Sequence, residues 1–329
     1  MNACCHMHIM KPGNKPERDE EKMMIRQAAF AQEGPFLKGG LHCHTTRSDG
    51  EGAPEDVIRR HYEQGYHFMA LTDHNIFNRI NYADVPITML SGIERDMEIL
   101  GWGKGRPLCV HIVGIGDPAA PEGPGQDESI PRYGRYEDCA PAQGMIDEMH
   151  GWGLKTFYCH PEWSGTAYAD YRCLKGHFGL ELWNSGCAFE NELDVNNGHE
   201  WDEALDEGRR IWGVAVDDGH AMDHHCHGWV MVKSGNSAPE ILQALENGAF
   251  YASCGPEIHD FFVRDGRAFV DCSDAAGVSF YTLRFPLRKT AGEHVTHAEC
   301  DLPDGIRYVR AVVTDACGHR AWTNPVFLR

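Results

Sequence analysis

Leu41-His42-Cys43-His44-Thr45-Thr46-Arg47-Ser48-Asp49-Gly50, followed by Leu71-Thr72-Asp73-His74-Asn75, is the stretch on which the reading of this chain turns. His42 and His44 end a short apolar run, residues 40–44, of strand-like composition. A spacing of two puts both imidazoles on one face of a strand, where they can hold one metal ion. Asp49 follows in the loop Ser48-Asp49-Gly50, and His74 comes just after a second apolar run at 67–72.

Working outward, the same arrangement recurs. Further strand candidates are 87–91, 108–114, 154–158, 179–183, 211–216 and 229–232. Helical stretches at 54–64, 142–150, 199–209 and 238–246 fall between several of them. The first has Pro54 in its opening turn and stops before Gly65. Strands alternating with helices predict a mostly parallel sheet of seven or eight strands, a number that can close into a barrel. An open doubly wound sheet is the alternative, but no G-x-G-x-x-G follows the first strand. Beyond Gly255 the pattern changes to short strand-like runs at 261–263, 268–271, 279–285, 308–314 and 321–327, with Gly266, Gly277 and Gly318 read as turn residues. The chain therefore divides into an extension at 1–34, disordered apart from one short helix at 20–32, a barrel-type domain at 35–254, and a β-rich domain at 255–329.

Ligand-type residues cluster at the strand ends. His42, His44, Asp49, His74, Glu94, His160, Asp218 and His220 lie at or just past the carboxyl end of a predicted strand, and His111 lies within one. Barrels of parallel strands build their active sites at that end. Nine ligands exceed the needs of one ion and suit two or three divalent ions, with a carboxylate bridging. A lone His111 would read as a packed core histidine and a lone Asp49 as a turn residue; it is the recurrence over six successive strands that favours metal. Asp73 and Asp217, each beside a ligand, are candidates for orienting a neighbouring imidazole. His224, His225 and His227 read as a solvated loop or a rim. No G-x-S-x-G elbow and no P-loop appears.

Composition narrows the classes. The 329 residues are 42% hydrophobic and 24% charged, ordinary for a globular protein. A net charge of −19 disfavours a nucleic-acid partner. No apolar run approaches the roughly 20 residues of a membrane span, and Met1 to Lys22 lacks a signal-type stretch, so the expected location is cytoplasmic with no membrane partner. Thirteen cysteines, an odd number without a C-x-x-C pair, are read as reduced thiols. Cys43 and Cys159, each next to a ligand histidine, are expected to face the packing layer. Cys4, Cys5, His6 and His8 are read as part of the disordered start rather than a metal site.

The strings already quoted, together with Gly92-Ile93-Glu94, His111-Ile112-Val113-Gly114, His160-Pro161 and Asp218-Gly219-His220, resemble the PHP (polymerase and histidinol phosphatase) superfamily over residues 40–220. The likeness is greatest to its CehA/McbA-type metallohydrolase branch, in which the barrel continues into a segment like Gly228-Trp229-Val230 and ends in a β-rich tail. The resemblance implies a distorted (β/α)7 barrel with up to three metal ions. His42, His44, Glu94 and Asp218 would hold the first; Asp49, His74 and His220 the second; Glu94 would bridge to a third completed by His111 and His160. Asp49 stands where some members carry histidine, which favours manganese or iron slightly over zinc. The family mostly hydrolyses phosphate esters, and the branch includes a carbamate hydrolase.

The expected function is therefore metal-dependent hydrolysis of a small organophosphate through a metal-bridging hydroxide, with Glu94, Asp218 and His220 as catalytic residues. Arg47 and Arg95 are the first candidates for contacting an anionic substrate, followed by Arg132 and Lys104. The alternatives are a carbamate, ester or amide hydrolase, whose apolar pocket Trp102, Trp163, Tyr168 and Trp183 would line, and a non-catalytic metal-binding domain. A binuclear amidohydrolase would need a bridging lysine after strand four, where Gly114-Ile115-Gly116-Asp117 stands instead.

Overall fold

A computed structural model describes residues 26–100, 108–191 and 197–328. A two-residue strand, β1 (Gln27–Ala28), comes first, where the sequence suggested helix. Then follow β2 (Phe36–Gly40), α1 (Pro54–Glu63), β3 (Phe68–Ala70), β4 (Thr88–Ile99), β5 (Leu108–Gly116), β6 (Arg135–Tyr136) and α2 (Ala142–Gly151). Next come β7 (Lys155–Tyr158), α3 (Pro161–Ser164), α4 (Tyr168–Tyr171), β8 (Gly179–Asn184), α5 (Ser185–Asn191), α6 (Gly198–Asp206) and β9 (Trp212–Val216). β10 (Trp229–Lys233), α7 (Ala238–Glu246) and β11 (Phe250–Ser253) complete the alternating part. The remainder is strand: β12 (Ile258–Arg264), β13 (Arg267–Thr282), β14 (Phe285–Asp301), β15 (Tyr308–Thr314), β16 (Arg320–Thr323) and β17 (Val326–Phe327).

Local chemistry accounts for the helix that crosses behind β2. Pro54 opens α1, and Glu55 and Asp56 set negative charge against its amino end. Val57, Ile58 and His61 form its buried face. Gly65 ends the turn after it with φ +77°, a conformation costly for any residue with a Cβ.

The result is a mixed α/β fold around one large sheet, and it departs from a uniformly parallel barrel. β2, β3 and β4 are parallel neighbours, as are β7, β8 and β9. β5 lies between the two sets and runs antiparallel to both, with Ile93 opposite Gly114 and Val113 opposite Phe157. Connection length explains the reversal. The eight residues 100–107 separate β4 from β5, and a parallel return needs a crossover of a dozen or more. Nor is the ladder closed. Among the described residues, β9 and β2 meet past their ends through one bridge, Cys43 to Gly219, flanked by Asp218 N–H to His42 O (3.0 Å) and His44 N–H to Gly219 O (3.1 Å).

The C-terminal strands form an antiparallel continuation, because β11 pairs with both β10 and β16. β1 pairs with β12, and Phe30 packs into the core of this region with Phe261, Val278 and Val313. β14 escaped the sequence reading. Its residues are mostly polar and exposed, and it is held as the partner of β13. Gly277 lies inside β13 rather than in a turn, whereas Gly266 and Gly318 are turn residues with φ of +72° and +90°. No described helix is long and apolar enough to cross a membrane.

One buried ion pair ties α6 to β15. Arg310 donates to Asp202 Oδ1 through Nε (2.8 Å) and to Oδ2 through Nη2 (2.6 Å), and the Tyr308 hydroxyl donates to Oδ1 (3.0 Å). Both charged side chains are buried. Asp202→Ala strands the guanidinium, so we expect denaturant unfolding to show a loss of about 3–5 kcal/mol. A change below about 1 kcal/mol, the worth of an exposed pair, would mean that the pair does not join these elements.

Candidate metal centre

The centre forms where the strands end. Past β2 the chain stays extended, so Leu41 and Cys43 face the packing and His42 and His44 face the opposite side. The Cys43 thiol donates to Ala70 O (3.3 Å). Asp218 follows β9, and Glu94 projects from within β4, which runs on to Ile99 instead of stopping before it. His111 sits near the start of β5. Because β5 is antiparallel, its amino end lies at the same rim as the carboxyl ends of its neighbours, so His111 faces Glu94 with Nδ1 2.9 Å from Oε1.

Four donors surround one point. His42 Nε2 lies 3.3 Å from Glu94 Oε2, 3.2 Å from Asp218 Oδ1 and 3.3 Å from His44 Nε2. His44 Nε2 lies 3.2 Å from Glu94 Oε2 and 2.9 Å from Asp218 Oδ1. Ligands about 2.1 Å from a tetrahedral ion stand about 3.4 Å apart, so these separations fit one ion. A second group joins Asp49, His74, His220 and the other face of His44. There Asp49 Oδ1 is 3.5 Å from His220 Nε2 and Oδ2 is 3.7 Å from His74 Nε2. A third joins Glu94, His111 and His74. His160 lies at its edge, with Nε2 3.6 Å from Glu94 Oε1 and 3.8 Å from Asp218 Oδ2. All nine residues thus converge, and His44 and His74 each border two groups.

Two atoms fit a cation in particular. Glu94 Oε2 and His74 Nδ1 are buried without a hydrogen-bond partner, although they lie 3.0 Å apart. The Nε2 atoms of His42 and His44, 3.3 Å apart, both face the same two carboxylate oxygens. Tautomers agree with this. His42 Nδ1 is 2.7 Å from Glu181 Oε1, so its N–H donates there and the Nε2 lone pair points inward. His220 Nδ1 donates to Asp218 O (3.0 Å), leaving Nε2 toward Asp49.

With no ion bound, the electrostatics draw protons into the cluster. Burial disfavours a charged His42, but Asp218, Glu94 and Glu181 outweigh it and hold its pKa well above the ordinary value. Burial also opposes charge on His44, yet the carboxylates of Asp218 and Glu94, 2.9 and 3.2 Å from its Nε2, push it up to about 10. Glu94 and Asp218 are disfavoured as anions by burial and are nevertheless held well below the usual carboxylate range by the surrounding imidazoles. His74 goes the other way, down to about 4, by burial.

Glu181 was missed in the sequence. A lone carboxylate inside the apolar strand Gly179–Asn184 was the available signal. It is fully buried, accepts the His160 N–H (2.8 Å) and Asn184 Nδ2 (3.0 Å), and orients His42. The two carboxylates expected in that role do something else. Asp73 accepts from the Thr45 N–H (2.7 Å), the Thr45 and Ser48 hydroxyls (2.9 Å each) and Asn78 Nδ2 (3.2 Å), so it shapes the loop below Asp49. Asp217 contacts His61 and backbone amides, not one of the nine residues.

A cavity of about 270 Å³ opens over Asp49, His74, His111, His160, Asp218 and His220. A wider one beside it, about 690 Å³, is lined by Arg47, Ser48, Asn75, Arg132 and Trp163 among others. Arg47 stands at this mouth, paired with Asp127 and Tyr82, and Arg132 pairs with Asp96 (Nε to Oδ2 2.7 Å). Arg95 does not reach it. Successive residues of β4 face opposite ways, so Arg95 is buried behind the strand against Glu148 (3.1 Å) and Pro131 O (3.0 Å). Of the aromatic candidates Trp163 lines both cavities, 4.9 Å from the His160 ring. Tyr168 instead packs on Tyr171 and donates to Glu207, and Trp183 lines neither cavity. Cys159 is buried beside His42 and Glu181. Cys4, Cys5, His6, His8, Trp102 and Lys104 lie outside the described residues.

No family model matches the chain. A stretch of 103 residues, 30% of the chain, is 37% identical to the 3',5'-nucleoside bisphosphate phosphatase of Chromobacterium violaceum, of which it covers 34%. A stretch of 83 residues, 24% of the chain, is 35% identical to the 5'-3' exoribonuclease of Haemophilus influenzae, of which it covers 28%. The matches thus span about a third of the length of these curated relatives. Among solved structures, a two-domain protein from Bacteroides vulgatus, described as containing a predicted PHP-like metal-dependent phosphoesterase, overlays with a TM-score of 0.46 at 16% identity, covering 88% of this chain and 95% of that one.

Because His44 titrates near 10 with no ion bound, it carries a proton at pH 8. An ion taking its nitrogen must displace that proton, so affinity for a divalent ion rises with pH up to about 10. Calorimetric titration at pH 8 in two buffers of different ionisation enthalpy should report proton release on binding; none released would contradict the assignment. Glu181→Gln should weaken binding about 10–100-fold, the usual cost of losing a group that orients a ligand histidine.

Proposed function

We propose that this chain is a metal-dependent phosphoesterase acting on a small organophosphate. The observation that carries the reading is the set of donor separations, 2.9–3.3 Å, among His42, His44, Glu94 and Asp218, joined through Glu94 to a further group. Two or three divalent ions, of manganese, iron or zinc, suit these donors. Such ions, when bound, lower the pKa of water and neutralise charge on both the entering and departing oxygens at phosphorus.

The chain's own residues supply the rest. Glu94 presents Oε1 to His111 and His160 and Oε2 to His42, His44 and His74, so one carboxylate would hold neighbouring ions together. Asp218, fixed by Asn184 Nδ2 on Oδ2 (3.0 Å), keeps Oδ1 toward His42 and His44. His220 lies at the cavity wall, partly open to solvent, and with Glu94 and Asp218 completes the catalytic group in this reading. Arg47 and Arg132 at the mouth offer guanidinium groups to a phosphate. Both sequence relatives, an exoribonuclease and a nucleoside bisphosphate phosphatase, are named for cleavage of phosphate esters, which supports phosphorus over carbon as the centre attacked. Within the PHP superfamily we place the chain nearest the CehA/McbA-type branch, on the β-rich region that follows β11.

The test is a hydrolysis screen of the full chain loaded with Mn2+, Fe2+ or Zn2+ against phosphomonoesters, phosphodiesters, carbamates and carboxyl esters. Phosphate-ester turnover is expected, with Glu94→Gln reducing it more than about 100-fold, beyond the loss typical of a supporting partner. A loaded protein that cleaves carbamates while ignoring every phosphate ester would move the reading to carbamate hydrolysis. Turnover by Glu94→Gln at the parental rate would remove Glu94 from the centre.

A further inference from the structure

Behind the residues just described lies a second group of ligand type that the proposed activity does not use. His61 on α1, Asp217 at the end of β9 and His225 in the loop before β10 are all buried, and each offers a ligand atom within 4.8 Å of the other two. The sequence reading placed His225 in a solvated loop; the structure buries it fully.

The details resemble a metal site more than a packed histidine pair. His61 Nδ1 donates to Val57 O (2.8 Å), which leaves the lone pair of Nε2 to face the other two side chains. That nitrogen lies 3.5 Å from Asp217 Oδ2, close to the spacing of about 3.4 Å between ligands of a tetrahedral ion with bonds of about 2.1 Å. Both nitrogens of His225 are buried without a hydrogen-bond partner. A neutral imidazole has one N–H and one lone pair to satisfy, and a ring this deeply buried normally satisfies them. Room for it depends on Gly219, where a Cβ would stand 2.4 Å from His225 Nδ1. Asp217 is held rigid: Oδ1 accepts the amides of His227 and Gly228 (2.8 Å each) and the Ser185 hydroxyl (2.9 Å), and Oδ2 accepts the amide of Cys226 (2.7 Å). One lone pair of Oδ2 remains for a further partner.

We propose that His61, Asp217 and His225 bind a divalent ion of zinc type, separate from the ions of the main centre. Two imidazoles and one carboxylate are a donor set that suits zinc, which completes its shell with water. The ion would join α1, the end of β9 and the loop 218–228. That loop opens with Asp218 and His220, so the site would set where those two residues stand. The inference does not depend on which bond the main centre cleaves.

Crystals of the full chain grown with Zn2+, measured on both sides of the zinc absorption edge, test it without any substitution. The expected result is an anomalous peak about 2.0–2.2 Å from His61 Nε2, Asp217 Oδ2 and one nitrogen of His225. A map with peaks at His42, His44 and Glu94 but none here would overturn the proposal and leave the main centre standing. As a second measurement, elemental analysis of Zn2+-loaded His225→Leu should find one ion per chain fewer than in the parent; an unchanged count in a folded variant overturns it equally. Should His225→Leu fail to fold, the crystallographic arm decides.

Discussion

Two buried carboxylates surrounded by imidazoles are the constraint on which the rest of this structure depends. Glu94 and Asp218 are withdrawn from solvent among His42, His44, His111 and His160. Burying even one unpaired carboxylate is strongly unfavourable, and the group would take up a proton first. Here the neighbouring imidazoles hold both carboxylates ionised, by accepting protons themselves or by sharing cations with them. Either way positive charge must be present. A divalent ion supplies it, and would also satisfy Glu94 Oε2, which has no hydrogen-bond partner among the described residues although three imidazole nitrogens stand 3.0–3.3 Å away. The cluster therefore needs positive charge, carried by protons on its imidazoles or by cations held among them.

That constraint explains the departures from a regular barrel. β4 runs through the site instead of ending before it, so that Glu94 can project from a strand paired on both sides. The return strand β5 is then antiparallel and brings His111 to the rim from the opposite direction. Two of the site residues also hold strained backbone. His160 has φ +25° and Asp218 has φ +49°, conformations that residues with a Cβ rarely adopt. His160 is held there by Glu181 on its amide and Ser164 on its Nδ1 (3.0 Å), and Asp218 by the His42 carbonyl on its own amide (3.0 Å).

Much of this was legible in the sequence because ligand spacing and strand periodicity are local. His42 and His44 two apart, and a polar residue at the end of each apolar run, need no knowledge of the fold. α7 was legible at 238–246 because its apolar face repeats at helical spacing and Ser237 and Glu240 cap it. What stayed hidden depended on partners distant in the chain. The direction of β5 turns on the short link 100–107, a length that was in plain view but was not weighed against the need of a parallel crossover. Arg95 reads as a candidate substrate contact only if the strand stops at residue 91; β4 continues to Ile99 and its alternation turns Arg95 to the opposite face. Glu181 is 139 residues from the histidine it orients. β14 has no apolar alternation over most of its length, since both of its faces are largely exposed there and pairing with β13 defines it.

The second layer of carboxylates then shows how a loop-built site becomes stiff. Asp73 gathers two hydroxyls, an amide and the Asn78 side chain around the loop that carries Asp49. Asp217 gathers three successive backbone amides around the loop that carries His220. Asp49 and His220 face each other across 3.5 Å, and neither sits on a strand or a helix. Their separation is set by two buried aspartates at opposite ends of the pair, each next in sequence to a residue of the main centre, His74 and Asp218. In both cases a residue beside a donor of the main centre, rather than that donor, bears the structural load. Each aspartate, by accepting several hydrogen bonds in a buried position, holds its loop to one geometry and so sets the distance between the two donors.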